Sequence, residues 1–153
     1  MSTKGTETTE ATGTRATKAE GTHDDVPKIF RVTLEVANID EAARFYTELL
    51  GQEGKRHQGS RHYYDCGGVI LALLDVSAGG LPPTPGPKSL YMAVRDLEAV
   101  HARATALNAL APYKVHGQPA GDPVQRPWGE RSFYVVDPWG NDLCFVKEGT
   151  LYT

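Results

Sequence analysis

The chain has 153 residues with 40% hydrophobic content, enough to bury one core and short for two independent ones. A formal net charge of -3 and a pI near 5.9, with no Lys/Arg run interleaved with aromatics, exclude a basic field for nucleic acid. The longest apolar runs, such as GGVILALL, are strand-length, and MSTKGTETTEATGTRATKAEG holds no apolar h-region. No membrane span or secretory signal is therefore expected, and the cytoplasm is the default compartment.

Residues 1–26 are dominated by Thr, Ala, Gly, Glu and Lys and offer almost nothing to bury, so they are read as a disordered tail before a single domain over 27–153. Order is expected from Lys28, where IFRVTLEV alternates as a strand with Val32, Leu34 and Val36 on one face and Arg31, Thr33 and Glu35 on the other. A helix follows. Asn38 with Glu41 forms a capping box, Ile39, Ala42, Ala43, Phe45, Tyr46, Leu49 and Leu50 make an apolar stripe, and Gly51 stops it. Residues 53–75 read as three short antiparallel strands, EGKRHQ, RHYYDC and VILALLD, broken at Gly59-Ser60 and Gly67-Gly68.

SAGGLPPTPGPK, residues 77–88, is too rich in Gly and Pro for regular structure and reads as a linker. The pattern then restarts over 89–148. SLYMAV matches VTLEV, Asp96 takes the place of Asn38, and LEAVHARATALN carries Leu97, Val100, His101, Ala104 and Leu107 at helical spacing, so Val94 aligns with Val36 and Leu107 with Leu49 at one offset. A strand near Tyr113–His116, a long loop over 117–130 and a hairpin about Asp137-Pro138-Trp139-Gly140-Asn141 complete the chain. The expected fold class is α+β, with two βαβββ modules, 28–76 and 89–148, whose curled mixed sheets surround a cleft. Cys66 and Cys144 lie far apart without CxxC spacing and read as reduced thiols.

LEVANIDEAARFYTELLG, MAVRDLEAVHARA and RPWGERSFYVVDPWGNDLCFV are similar in order and content to the vicinal oxygen chelate superfamily, which includes glyoxalase I, extradiol dioxygenases, fosfomycin resistance enzymes and bleomycin resistance proteins. The Pro-Trp-Gly loop and the DP-x-GN turn most resemble the bleomycin resistance branch. Metal-using members place a His, Gln or Glu on each of four strands to chelate neighbouring substrate oxygens. The resemblance puts those positions at Arg31, at or beside Leu71, at Ser89 and at Cys144. A protonated guanidinium and a leucine cannot ligate, serine is poor, and one thiol does not hold a hard divalent ion. The expectation is therefore no cofactor, the alternative being a divalent metal ion held by a shifted set drawn from His57, His62, Asp65, Asp75, His101, His116 and Glu148.

The cleft is then expected to take an aromatic or amphipathic small molecule, with Arg31, Thr33, Glu35, Leu71, Ser89, Tyr91, Trp128 and Cys144 as candidate contacts. Trp128 either approaches the ligand, as the resemblance implies, or pins its loop to the sheet. Tyr91 either stacks on a planar group or fills the cavity. Arg31 and Glu35 either pair within the protein or recognise ionic groups on a ligand, and Cys144 is a small buried hydrophobe or a pocket thiol. Trp139 is expected at an exposed turn tip or a dimer contact. Sequestration, for example of an antibiotic, is the resulting mechanism; the alternatives are a metal-dependent lyase, isomerase or dioxygenase, or an interaction protein with a filled cleft. Open curled sheets leave edges and apolar surface to cover, so a homodimer is expected.

Overall fold

The computed structural model describes residues 25–86 and 88–153. The disordered-tail expectation falls, for residues 1–24, outside them. No described helix is long and apolar enough to cross a membrane.

Module one runs β1 (Arg31–Val36), α1 (Ile39–Leu50), β2 (Lys55–His57), β3 (Arg61–Cys66) and β4 (Val69–Asp75), with sheet order β1-β4-β3-β2. β1 is parallel to β4, because the helix crossover returns the chain in the same direction, and the remaining neighbours are antiparallel hairpins. α1 begins as the sequence predicts, with Asn38 Oδ1 accepting the Glu41 amide at 3.1 Å, and ends at Gly51, whose φ of 69° suits only a residue without Cβ strain. The second cap differs from a capping box. Asp75 Oδ2, at the end of β4, takes the Ile39 amide at 2.9 Å and so ties the helix start to the sheet.

Module two runs β5 (Leu90–Val94), α2 (Leu97–Ala106), β6 (Lys114–Val115), β7 (Gln118–Pro119), β8 (Val124–Gln125), β9 (Arg131–Val136) and β10 (Asp142–Lys147). Its main sheet, β5-β10-β9-β8, repeats the first module's order. Asp96 caps α2 through the Ala99 amide, as Asn38 caps α1. The expected strand near Tyr113–His116 is present as β6, whereas the expected loop over 117–130 is corrected, since it holds β7 and β8. β6 and β7 form a separate two-stranded hairpin about His116 and Gly117, both at positive φ (50° and 78°), and β8 fills the place β2 holds in module one.

One core joins the modules: Leu34, Tyr46, Leu49 and Leu73 of the first pack with Leu97, Phe133, Leu143 and Phe145 of the second. A smaller cluster of Ala111, Ala120, Tyr134, Cys144 and Val146 lies on the far face of the second sheet. Apart from a short 3-10 turn at Ser77–Gly79 the linker is irregular, as expected, yet it is tethered: the Thr84 amide donates to Glu35 Oε1 at 2.9 Å and the Gly86 amide to Asn141 Oδ1 at 2.7 Å. Trp139 is half-buried against the core and is no exposed tip.

Candidate functional site

Strand register decides which side chains share a face. In module one Arg31, Thr33 and Glu35 stand opposite Ile70, Ala72 and Leu74, on the face away from α1. Leu71 does not join them. It pairs with Val32, is 2% exposed and packs in the core with Leu34 and Leu73, so its expected place on the cleft face is corrected by one residue. The offset that carries Val36 to Val94 carries Thr33 to Tyr91, and since Tyr91 pairs with Cys144 as Thr33 pairs with Ala72, the fourth strand position of module one is Ala72.

Arg31 and Thr33 are exposed and Glu35 is half-buried. Arg31 spreads its guanidinium over the rings of Phe30 and Tyr63, at 5.1 and 5.9 Å, while Glu35 accepts the Thr84 amide, so each finds partners within the protein, though not in the other.

On module two the same face carries Tyr91, Cys144 and Tyr134 in one cross-strand row. The Tyr91 and Tyr134 hydroxyls lie 3.3 Å apart. Ser89 Oγ donates to Asp142 Oδ1 at 3.0 Å and the Tyr113 hydroxyl to Asp142 Oδ2. Cys144 is fully buried, and burial pushes its thiol up to about 11 despite nearby Ser132 and Tyr134, which leaves it protonated and unreactive near neutrality.

Arg126, which the sequence reading passed over, explains why half of this face is closed. The side chain is 3% exposed; Nε donates to Ser132 Oγ at 3.1 Å, Nη2 to the carbonyls of Ala120, Asp122 and Ser132, and the guanidinium sits 5.4 Å from the Tyr134 ring centroid. It thereby clamps the segment from Ala120 over β9. The only signal in the sequence was an arginine beside Pro-Trp-Gly.

Trp128 pins its loop. Its indole N–H donates to Glu130 Oε1 at 2.8 Å, and its ring meets His116 edge-on at 5.2 Å, which pins the loop. It also lines a hollow of about 420 Å³ with Tyr91, Ala93, Val146 and Tyr152. Glu130, 6% exposed, accepts the Tyr152 amide on Oε2 at 2.8 Å and so fixes two walls at once. The structure thus brings together Tyr91 and Trp128 around one hollow, with Cys144 beneath Tyr91 and Ser89 to the side; Arg31, Thr33 and Glu35 do not line it.

The residues do not fit the superfamily's metal. The four strand positions hold a guanidinium, a methyl, a hydroxyl and a buried thiol at Arg31, Ala72, Ser89 and Cys144. Among the described residues no group of three or more His, Cys, Asp or Glu is placed to hold an ion. The imidazoles are committed elsewhere: His62 accepts Arg56 Nε on Nδ1 and donates from Nε2 to the Glu53 carbonyl, while His101 bonds the Gly121 carbonyl and meets Phe133 edge-on.

No curated protein sequence matches the chain. Among solved structures it is similar to a glyoxalase/bleomycin resistance protein from Albidiferax ferrireducens T118, with 21% identity, 78% of this chain and 98% of that one covered, and a TM-score of 0.59. It is similar to a protein described as Oxidase ChaP-H1, with 20% identity, 80% and 97% covered, and a TM-score of 0.64. A lactoylglutathione lyase from Agrobacterium tumefaciens gives 20% identity, 81% and 96% covered, and a TM-score of 0.55. These likenesses speak to fold. The profile of the Glyoxalase/Bleomycin resistance protein/Dioxygenase superfamily matches residues 28–145, and the chain, with its two βαβββ modules, belongs to that superfamily.

Proposed function

We propose that the protein binds a small planar or amphipathic molecule in the hollow bounded by Tyr91 and Trp128, without a metal ion at the four strand positions. The observation that carries this reading is a tyrosine 54% exposed on the inner face of a sheet, opposite an indole held in place by a buried carboxylate. Two amphipathic rings over an apolar floor of Ala93 and Val146 suit a flat ligand. Sequestration is the mechanism this reading favours, since the Cys144 thiol is protonated and Glu130 already accepts two hydrogen bonds.

A cationic antibiotic of the bleomycin kind fits less well than a neutral or weakly polar one, because both oxygens of Glu130, the carboxylate lining the hollow, already accept hydrogen bonds. The hollow is open on one side. A second copy of the chain, presenting Arg31, Thr33 and Glu35, would close it and give those side chains the ligand contact that they lack in one chain. Titration of naphthalene- and acridine-class compounds, followed by tryptophan fluorescence and calorimetry, tests the assignment. Trp128→Ala should weaken a verified ligand about tenfold, or ~1.4 kcal/mol, with the fold intact; undiminished affinity would remove Trp128 from the site.

A further inference from the structure

A larger hollow, of about 770 Å³, lies on the helix side of β5, across the strand from the Tyr91–Trp128 hollow. Its walls are Val32 and Leu50 of module one and Leu90, Met92, Val94 and Val100 of module two. β1 and β5 are both terminal strands of their sheets, so neither has a neighbour on this side. Leu90, Met92 and Val94 are only half-buried although they face the helices, which means that the shared core does not close over them. They recur at every second residue and so line ~13 Å of trough, at ~3.3 Å rise per residue. The volume lies within the ~300–1,000 Å³ range of small-molecule sites.

The polar groups of this hollow are few. Asp96 Oδ1 accepts the Ala99 amide as the α2 cap, Gln52 Nε2 donates to the Asp65 carbonyl, and Arg95, at the rim, pairs with Glu148 at 3.8 Å. Arg103 remains. Its Nε donates to the Leu49 carbonyl at 3.2 Å, and the guanidinium lies beside Gly51, where it complements the negative end of α1. Among the described residues no carboxylate stands within 4 Å of it, so its two terminal nitrogens carry a full positive charge at the wall of an apolar trough without an acidic partner.

From this geometry we infer that the trough is a second binding site, for a single-chain amphipath with an anionic head: a medium-chain fatty acid, its hydrocarbon along β5 and its carboxylate on Arg103. A chain without hydrogen-bonding groups matches walls that offer side-chain methyls and methylenes, and a carboxylate matches the guanidinium fork. The two hollows meet at β5, where Tyr91, Met92 and Ala93 line both, but Arg103 and Ala99 belong to the trough alone and Trp128 to the other hollow, so the proposal does not rest on the one under Proposed function.

Fluorescence titration of the full-length protein with cis-parinaric acid, competed by laurate and by dodecanol, tests this. The expected result is saturable binding at one site per chain, displaced by laurate at least tenfold more effectively than by dodecanol. Ala99→Trp, which fills the trough from α2, should reduce parinarate affinity more than tenfold. Arg103→Gln should cancel the preference for laurate while dodecanol binding stays unchanged, and Trp128→Ala should leave parinarate binding alone. No saturable binding, equal displacement by the two competitors in the wild-type chain, or full affinity in Ala99→Trp would each overturn the proposal. So would sedimentation showing that a second copy occupies the trough, seen as a dimer that dissociates in Ala99→Trp and does not bind parinarate. Should Ala99→Trp fail to fold, the laurate/dodecanol ratio and Arg103→Gln decide the matter by themselves.

Discussion

The Tyr46 hydroxyl donates a 2.8 Å hydrogen bond to Asp137 Oδ2, joining the helix of module one to the last hairpin of module two across 91 positions of sequence. Asp137 also takes the amides of Trp139 and Asn141 on Oδ1, and the Asn141 side chain on Oδ2. Asn141 passes the link on to the Glu35 carbonyl and the Gly86 amide. The DPWGN turn is therefore the joint between modules. Because Tyr46 is fully buried, Tyr46→Phe should cost about 1.5–3 kcal/mol, as for other hydrogen bonds to charged groups. Asp137→Ala should cost more, since it strands the phenol and the Asn141 amide together. Urea unfolding measures both, and a loss under 0.5 kcal/mol for Tyr46→Phe, well below the usual ~1 kcal/mol, would show that the joint is held by packing alone.

The same phenol makes the fold sensitive to alkali. Burial, and then Asp137, raise Tyr46 well above the ordinary tyrosine value, and burial likewise raises Tyr64, Tyr113 and Tyr134. A group whose pKa is higher in the native state stabilises fully below its unfolded value, here about 10, and loses that contribution as pH climbs toward the native value. Stability should thus be level from pH 8 to 9.5 and fall beyond 10. Tyr46→Phe should start lower and fall less steeply, so parallel curves for the two proteins would contradict the assignment.

Asp75 has the opposite sign. Burial alone would raise its carboxyl, but hydrogen bonds from Ser77 and the Ile39 amide outweigh that and hold it below the usual aspartate value. Its contribution is therefore present above about pH 4 and lost as pH falls through the native value. Asp75→Asn should flatten the acid limb of the stability profile, whereas Asp75→Ala, which removes the cap, should cost about 1 kcal/mol at neutral pH, measured by chemical unfolding.

Much of this was legible in the chain because local signals agreed with the global fold. Asn38 and Asp96 cap where their side chains say they should, and alternation in RVTLEV and RHYYDC survives as observed strands. Leu71 was misplaced because VILALLD is apolar at nearly every position, so periodicity fixes no face; only the register with Val32 does. His116-Gly117 was not taken as a hairpin turn, since its signal is weaker than Asn-Gly. Arg126 and Tyr46 act through partners that no spacing rule connects, and a buried arginine on carbonyls looks like any surface arginine in sequence.

The donor set at the four strand positions gives a direct test of metal dependence. After EDTA treatment, addition of Mn²⁺, Ni²⁺ or Zn²⁺ should leave the unfolding temperature unchanged. A site present at a thousandfold excess of ion over Kd would add about 4 kcal/mol, a shift that differential scanning calorimetry resolves with ease. A rise with one ion would revive a shifted ligand set and the enzyme readings of the superfamily with it.

Cys144 separates an open inner face from a closed one. With its thiol pushed up to about 11 and no exposure, it should not react with Ellman's reagent at pH 8 in the native protein. Cys66 is half-buried and raised by burial and by Asp65, so it should react slowly, and both thiols should react at once in urea. In Cys66→Ser the native signal should therefore vanish. If Cys144 were labelled there at the rate of a free thiol, the row Tyr91–Cys144–Tyr134 would have to open to solvent. The ligand site would then extend inward beneath Tyr91, and the clamp that Arg126 makes on the Ala120 segment would have to be a gate rather than a fixture.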